Sequence, residues 1–149
     1  MPTLFSILGL VFVLLSTMTY SVNSTVTRMN QADDTIRIEQ MIAYQSLVDA
    51  YAKTHPTTSG TVSDGSLAIP GWLVRPVGVT NTITGARGYA WFTPDGVGIG
   101  MRIAERAQGQ GSARAGVKIN GRLQQPGATT AGAVLPAAIP DGAVVVMRS

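Results

Sequence analysis

The spacing of apolar residues changes character twice along the chain. From Leu4 to Val22 (LFSILGLVFVLLSTMTYSV) apolar positions follow one another almost without interruption, and no residue from Met1 to Thr27 carries a charged side chain. About 20 helical residues rising 1.5 Å each cross a hydrocarbon core about 30 Å thick, so this stretch has the length of a membrane span. Its serine and threonine hydroxyls can bond back to helix carbonyls, and Tyr20 stands near one end, where an amphipathic ring suits the interface. A cleavable signal would instead show a basic start, a shorter apolar run and a small-residue cleavage site. Met1-Pro2-Thr3 has no basic side chain, and Ser16–Ser21 is a poor cleavage site. The expectation is an uncleaved transmembrane anchor over residues 1–22, touching lipid through residues 4–22. The N-terminus is expected inside, and the C-terminal domain in the periplasm.

From about Ser24 to Thr54 the spacing becomes helical. Ile36, Ala43, Tyr44, Leu47, Val48 and Tyr51 recur at i, i+7, i+8, i+11, i+12 and i+15, and Ile38, Met41 and Ile42 widen the stripe on one flank. Pro56 stops the helix, because it disfavours helical geometry in the residue before it. Such a stripe either packs on the protein's own sheet or pairs with a neighbouring membrane helix. Ala43, Tyr44, Leu47, Val48 and Tyr51 are therefore the candidate interaction residues.

Beyond Pro70 the runs shorten and fill with β-branched and aromatic residues. Leu73–Val79, Gly88–Thr93 and Val97–Ile103 are predicted strands, the last despite its glycines. Asn120-Gly121 between Val117–Ile119 and Arg122–Gln124 predicts a tight hairpin. Pro140-Asp141-Gly142 predicts a turn into a terminal strand, Ala143–Met147. Residues 107–115 and 125–138 read as loops. The fold class is α+β: a transmembrane helix continuing into an amphipathic helix (23–55) that packs on a small antiparallel sheet (56–149).

Composition narrows the function. Charged residues are 13% of the 149, too few for a long coiled coil or a solvating disordered chain, and Gly 17 with Pro 8 suits short strands and turns. Without cysteine there is no disulfide and no thiolate metal site. Residues 24–55 carry a small acidic excess. Residues 56–149 hold Lys118 and seven scattered arginines against Asp64, Asp95, Glu105 and Asp141. Nucleic-acid binders gather such charge into a stripe with aromatic neighbours, so solvated arginines are the expectation and nucleic acid is not an expected partner.

No catalytic constellation emerges. His55 is the lone histidine, at a helix end, and the only lysines are Lys53 and Lys118. Neither a phosphate-binding loop with its lysine, a dinucleotide fingerprint nor a nucleophile elbow is present. The chain is read as non-enzymatic, with no cofactor, no metal and no small-molecule substrate.

The order of features is itself informative. An uncharged apolar start is followed by MIAYQSLVDAYAKTHP, then IPGWLVRP, a glycine-rich region and LPAAIPDGAVVVMRS at the end. In this layout the chain resembles, over essentially its whole length, the small PilM proteins of conjugative-plasmid thin pili, a type IVb system. The resemblance implies an inner-membrane component of the pilus assembly apparatus, needed to make the pilus rather than forming its bulk. It implies other pilus assembly proteins or pilins as partners and leaves self-association open. The actin-like PilM of other type IV pili shares only the name; its nucleotide motifs are absent here. A minor pilin or pseudopilin-like subunit is the alternative, against which stand the missing prepilin leader and its early glutamate. A membrane-tethered hydrolase ranks below both.

Overall fold

The computed structural model describes residues 35–108, 113–130 and 132–148. The expected anchor Leu4–Val22 and the start of the amphipathic helix lie outside them. No helix among the described residues is long and apolar enough to cross a membrane.

Helix α1 occupies residues 35–54 and stops where Pro56 requires it. Its last turn is closed by the His55 amide donating to the Tyr51 carbonyl (2.9 Å), with the His55 ring stacked on the Tyr51 ring at 4.1 Å. A single 3₁₀ turn at Asp64–Ser66 comes next. Then come β1 (Thr80–Thr84), β2 (Arg87–Phe92), α2 (Val97–Gln108), β3 (Ala113–Ile119), β4 (Arg122–Gln124) and β5 (Val144–Arg148).

The five strands form one sheet in the order β1-β2-β5-β3-β4, and every pairing is antiparallel. Since β5 runs against both β2 and β3, those two are parallel to each other, and α2 is the crossover that parallel neighbours require. The result is a split β-α-β unit with the last strand inserted at its centre. That position explains the composition of β5: Val144, Val145, Val146 and Met147 are all buried, because the strand is covered on both faces. Each edge strand makes one further backbone bridge. Gly60 exchanges backbone hydrogen bonds with Ile83 of β1 (2.9 and 2.8 Å). On β4, Leu123 donates to the Ala133 carbonyl (2.9 Å) and accepts from the Gly132 amide (3.0 Å).

One face carries Ile83, Ala90, Phe92, Ala115, Val117, Val144 and Val146 and packs on Ile38, Met41, Tyr44, Val48 and Ala52 of α1 and Ile103, Ala104 and Ala107 of α2. The opposite face carries Tyr89, Leu123, Val145 and Met147 under Leu135, Ile139 and Ala143.

Two of the expected strands are something else. Val97–Ile103 is the first half of helix α2. Gly100, Ile103, Ala104 and Ala107 are buried at i, i+3, i+4 and i+7, a helical face that the glycines disguised. Gly100 serves close packing: a Cβ there would lie 3.1–3.2 Å from Pro94, Val117 and Val144. Leu73–Val79 is not a strand but two consecutive turns, in which the Leu73 amide donates to Pro70 (2.9 Å) and the Val79 amide to Pro76 (3.1 Å). Prolines at 70 and 76 have no N–H for a ladder, and pairing begins only at Thr80. Loop was also expected over 107–115, where α2 runs to Gln108 and β3 starts at Ala113. The hairpin at Asn120-Gly121 is present, with both residues at positive φ (51° and 75°), the geometry of the turn that Asn-Gly favours.

Candidate interaction surface

The sequence stripe on α1 divides into two groups. Tyr44 and Val48 are fully buried in the core of their own domain. Ala43, Leu47 and Tyr51 are half-buried along its margin, in contact with the core yet partly open to solvent. They form a ridge at i, i+4 and i+8, extended one way by Ile36, which is largely exposed.

The buried face of α1 is centred elsewhere, on Ile38, Met41, Gln45, Val48, Asp49 and Ala52. Its two polar members bind the main chain of β2: Gln45 Nε2 donates to the Gly88 carbonyl (3.1 Å), and the Gly88 amide donates to Asp49 Oδ1 (3.4 Å). Helix and strand touch backbone to backbone here. A Cβ on Gly88 would fall 2.5 Å from the Asp49 nitrogen and 2.6 Å from the Val48 carbonyl carbon. Asp49 is also paired with Lys53 across one helical turn (2.8 Å).

A second polar cluster joins α1 to the loops at one end of the sheet. Asn81 binds Val62 through both ends of its amide, accepting from the Val62 amide and donating to its carbonyl, each at 2.8 Å. It also donates to the Tyr44 hydroxyl (2.7 Å), which in turn donates to Asp64 Oδ1 (3.0 Å). Arg75 closes the chain from the solvent side, 3.3 Å from the same oxygen. Burial raises the Tyr44 pKa above its ordinary value and outweighs the hydrogen bond from Asn81, which lowers it. The phenol is therefore a donor that keeps its proton. Alternation of apolar residues in TNTIT could not reveal this strand, because Asn81 enters the core only by virtue of partners 19 and 37 residues away.

His55, the lone histidine, is exposed and engaged with Thr54 (2.9 Å). Among the described residues no group of three or more His, Asp or Glu is arranged to hold a metal ion. An open groove of about 320 Å³ between α2 and the segment after β4 is lined by Met101, Arg102, Glu105, Gln124 and Gln125 with Pro126–Ala128.

Known proteins resemble this chain in both sequence and fold. No curated protein matches it. A crystal structure of a PilM protein from Escherichia coli B7A superposes with a TM-score of 0.54 at 24% identity, covering 80% of this chain and 94% of that one. One of a PilM protein from Pseudomonas aeruginosa 2192 gives a TM-score of 0.47 at 30% identity, covering 78% and 95%. The family model for PilM matches residues 10–147, nearly the entire chain, and this protein belongs to the PilM family.

Proposed function

We propose that this chain is a non-enzymatic, single-pass inner-membrane component of a type IVb thin-pilus assembly apparatus, supporting pilus formation in plasmid conjugation. The α+β domain stands in the periplasm in this reading, and its partners are other assembly proteins or pilins. The observation that carries the proposal is the PilM family match over residues 10–147. Two further features support it. The uncharged stretch Leu4–Val22 has the length of a membrane span. The half-buried ridge Ala43, Leu47 and Tyr51 offers apolar surface at helical spacing on the element next to the anchor in sequence.

In-frame deletion tests the reading. Donor cells lacking the chain should make and process the major pilin yet display no thin pili, and mating in liquid should fall sharply. Normal piliation in the deletion strain would end the proposal. Ala43→Arg and Leu47→Arg test the ridge. Each adds a charge at the margin of the core, and pili should disappear while the protein persists in the membrane. Full piliation with both variants would show that the ridge has no part in assembly.

The order of a helix before a sheet favours a second reading, a minor pilin. That reading requires the chain to leave the cell with sheared pili.

A further inference from the structure

One short loop holds three apolar side chains out in water: Trp72, Val74 and Val77 are 76%, 67% and 88% exposed. Single apolar residues on a surface are ordinary, but three within six positions, one of them tryptophan, are a patch. The loop has not failed to pack, since Leu73 and Pro76 between them are buried. It is also held firmly. Two proline-led turns shape it, Arg75 is paired with Asp64 at 3.3 Å, and the Arg37 guanidinium of α1 donates to the Val77 carbonyl while lying over the Phe92 ring at 4.8 Å.

We propose that Trp72, Val74 and Val77 insert into the interfacial layer of the bilayer that carries the chain's own anchor, docking the domain on the membrane surface. The proposal rests on the membrane-held reading and goes beyond it. Chain length is the first argument. Residues 23–35 separate Val22 from Ile36, and even fully extended they span only about 45 Å, so the start of α1 stays near the bilayer. Arg37 ties the loop to that same start, beside the exposed Ile36. Chemistry is the second argument. A tryptophan flanked by aliphatic residues suits the headgroup level, where an apolar body and a polar N–H are both accommodated.

The test uses the full-length chain reconstituted into vesicles of phosphatidylethanolamine and phosphatidylglycerol, with and without bromine on the acyl chains. Trp72 and Trp91 are the two tryptophans, and subtracting the Trp72→Phe spectrum isolates the emission of Trp72. Flotation of the vesicles reports on the anchor. Brominated chains should quench most of the Trp72 emission and leave that of Trp91 unchanged. Because the sequence has no cysteine, Val77→Cys can carry a single nitroxide. On reconstitution its collisions with dissolved oxygen should rise, and those with an aqueous nickel chelate should fall. A chain that floats with Trp72 unquenched and the label still open to the chelate overturns the proposal while leaving the anchor intact. Shielding of the same positions only in native envelopes assigns the patch to a protein and equally overturns it. A chain that fails to float removes the anchor reading and this proposal together.

Discussion

Helices α1 and α2 cover one face of the sheet, whereas segment 132–143 covers the other with turns and a single backbone bridge. On the helical side, cohesion comes from apolar side chains repeating at helical spacing, with each helix satisfying its own backbone groups. On the loop side, the buried apolar side chains among the described residues are Leu135, Ile139 and Ala143, and the backbone must find partners one by one. The Leu135 amide donates to Gly121 (2.9 Å), Gly142 to Lys118 (2.8 Å), and the Gly121 amide donates to Asp141 Oδ1 (3.1 Å). At the centre lies Lys118, 5% exposed, its ammonium donating to the carbonyls of Pro136 and Ile139. Burying a cation is costly unless it is well hydrogen-bonded, and here it fastens an irregular cover that has few apolar contacts of its own. Periodic packing can hold a helix down; an aperiodic cover needs specific polar pins.

Four substitutions challenge this contrast. The largest loss is expected on the helical side, from Gly88→Ala. The new methyl meets backbone atoms of Val48 and Asp49 that no rotamer change can move, and urea unfolding should show a loss of about 3 kcal/mol. A neutral result would mean that α1 and β2 are not in backbone contact. Lys118→Met should cost about 2 kcal/mol, the scale for charged hydrogen bonds, with a local signature. Amide exchange should quicken across 135–143 while α1 keeps its protection. Uniform loss of protection would show that the two covers are one cooperative unit.

Tyr44→Phe keeps the ring and removes the hydroxyl between Asn81 and Asp64, at an expected cost of about 1.5 kcal/mol. It should also change the response to alkali. Burial holds the Tyr44 pKa above its unfolded value, so the folded state retains the proton more tightly. Its contribution is fully present below about pH 10 and is lost as pH climbs through the folded pKa. The native chain should therefore lose stability in that window, and the phenylalanine variant should lose less. Equal alkaline slopes would place the phenol outside the core. The smallest effect, about 1 kcal/mol, is expected from Gly121→Ala, which puts a Cβ at φ 75° in the hairpin turn. A shift in melting temperature of the opposite sign would count against the turn geometry.

Features encoded locally were legible in the sequence. Asn120-Gly121 marks its hairpin, Pro56 the end of α1 and AVVVM the terminal strand, because each signal acts within a few residues. Features that depend on distant partners were not. Gln45 and Asp49 are polar residues at core positions of α1, and their burial on Gly88 displaces the true inner face from the apolar stripe. That is why Ile38, Met41 and Ala52 lie deeper than Ala43, Leu47 and Tyr51. Strand β1 went unseen for the same reason, since Asn81 is polar in sequence and buried in the fold. Of the candidate interaction residues, Tyr44 and Val48 sit inside the domain, and Ala43, Leu47 and Tyr51 form a half-buried ridge at its margin.

Separating the envelope from sheared pili tests the membrane-held assembly role most directly. Pili sheared from donor cells, and alkali-washed inner membranes from the same cells, should be probed for the chain and its N-terminal mass. The expected result is the intact chain, with Leu4–Val22 still attached, in the washed membranes and none in the pili. Recovery of the chain in the pili, or of a shortened form in the wash, would contradict that role.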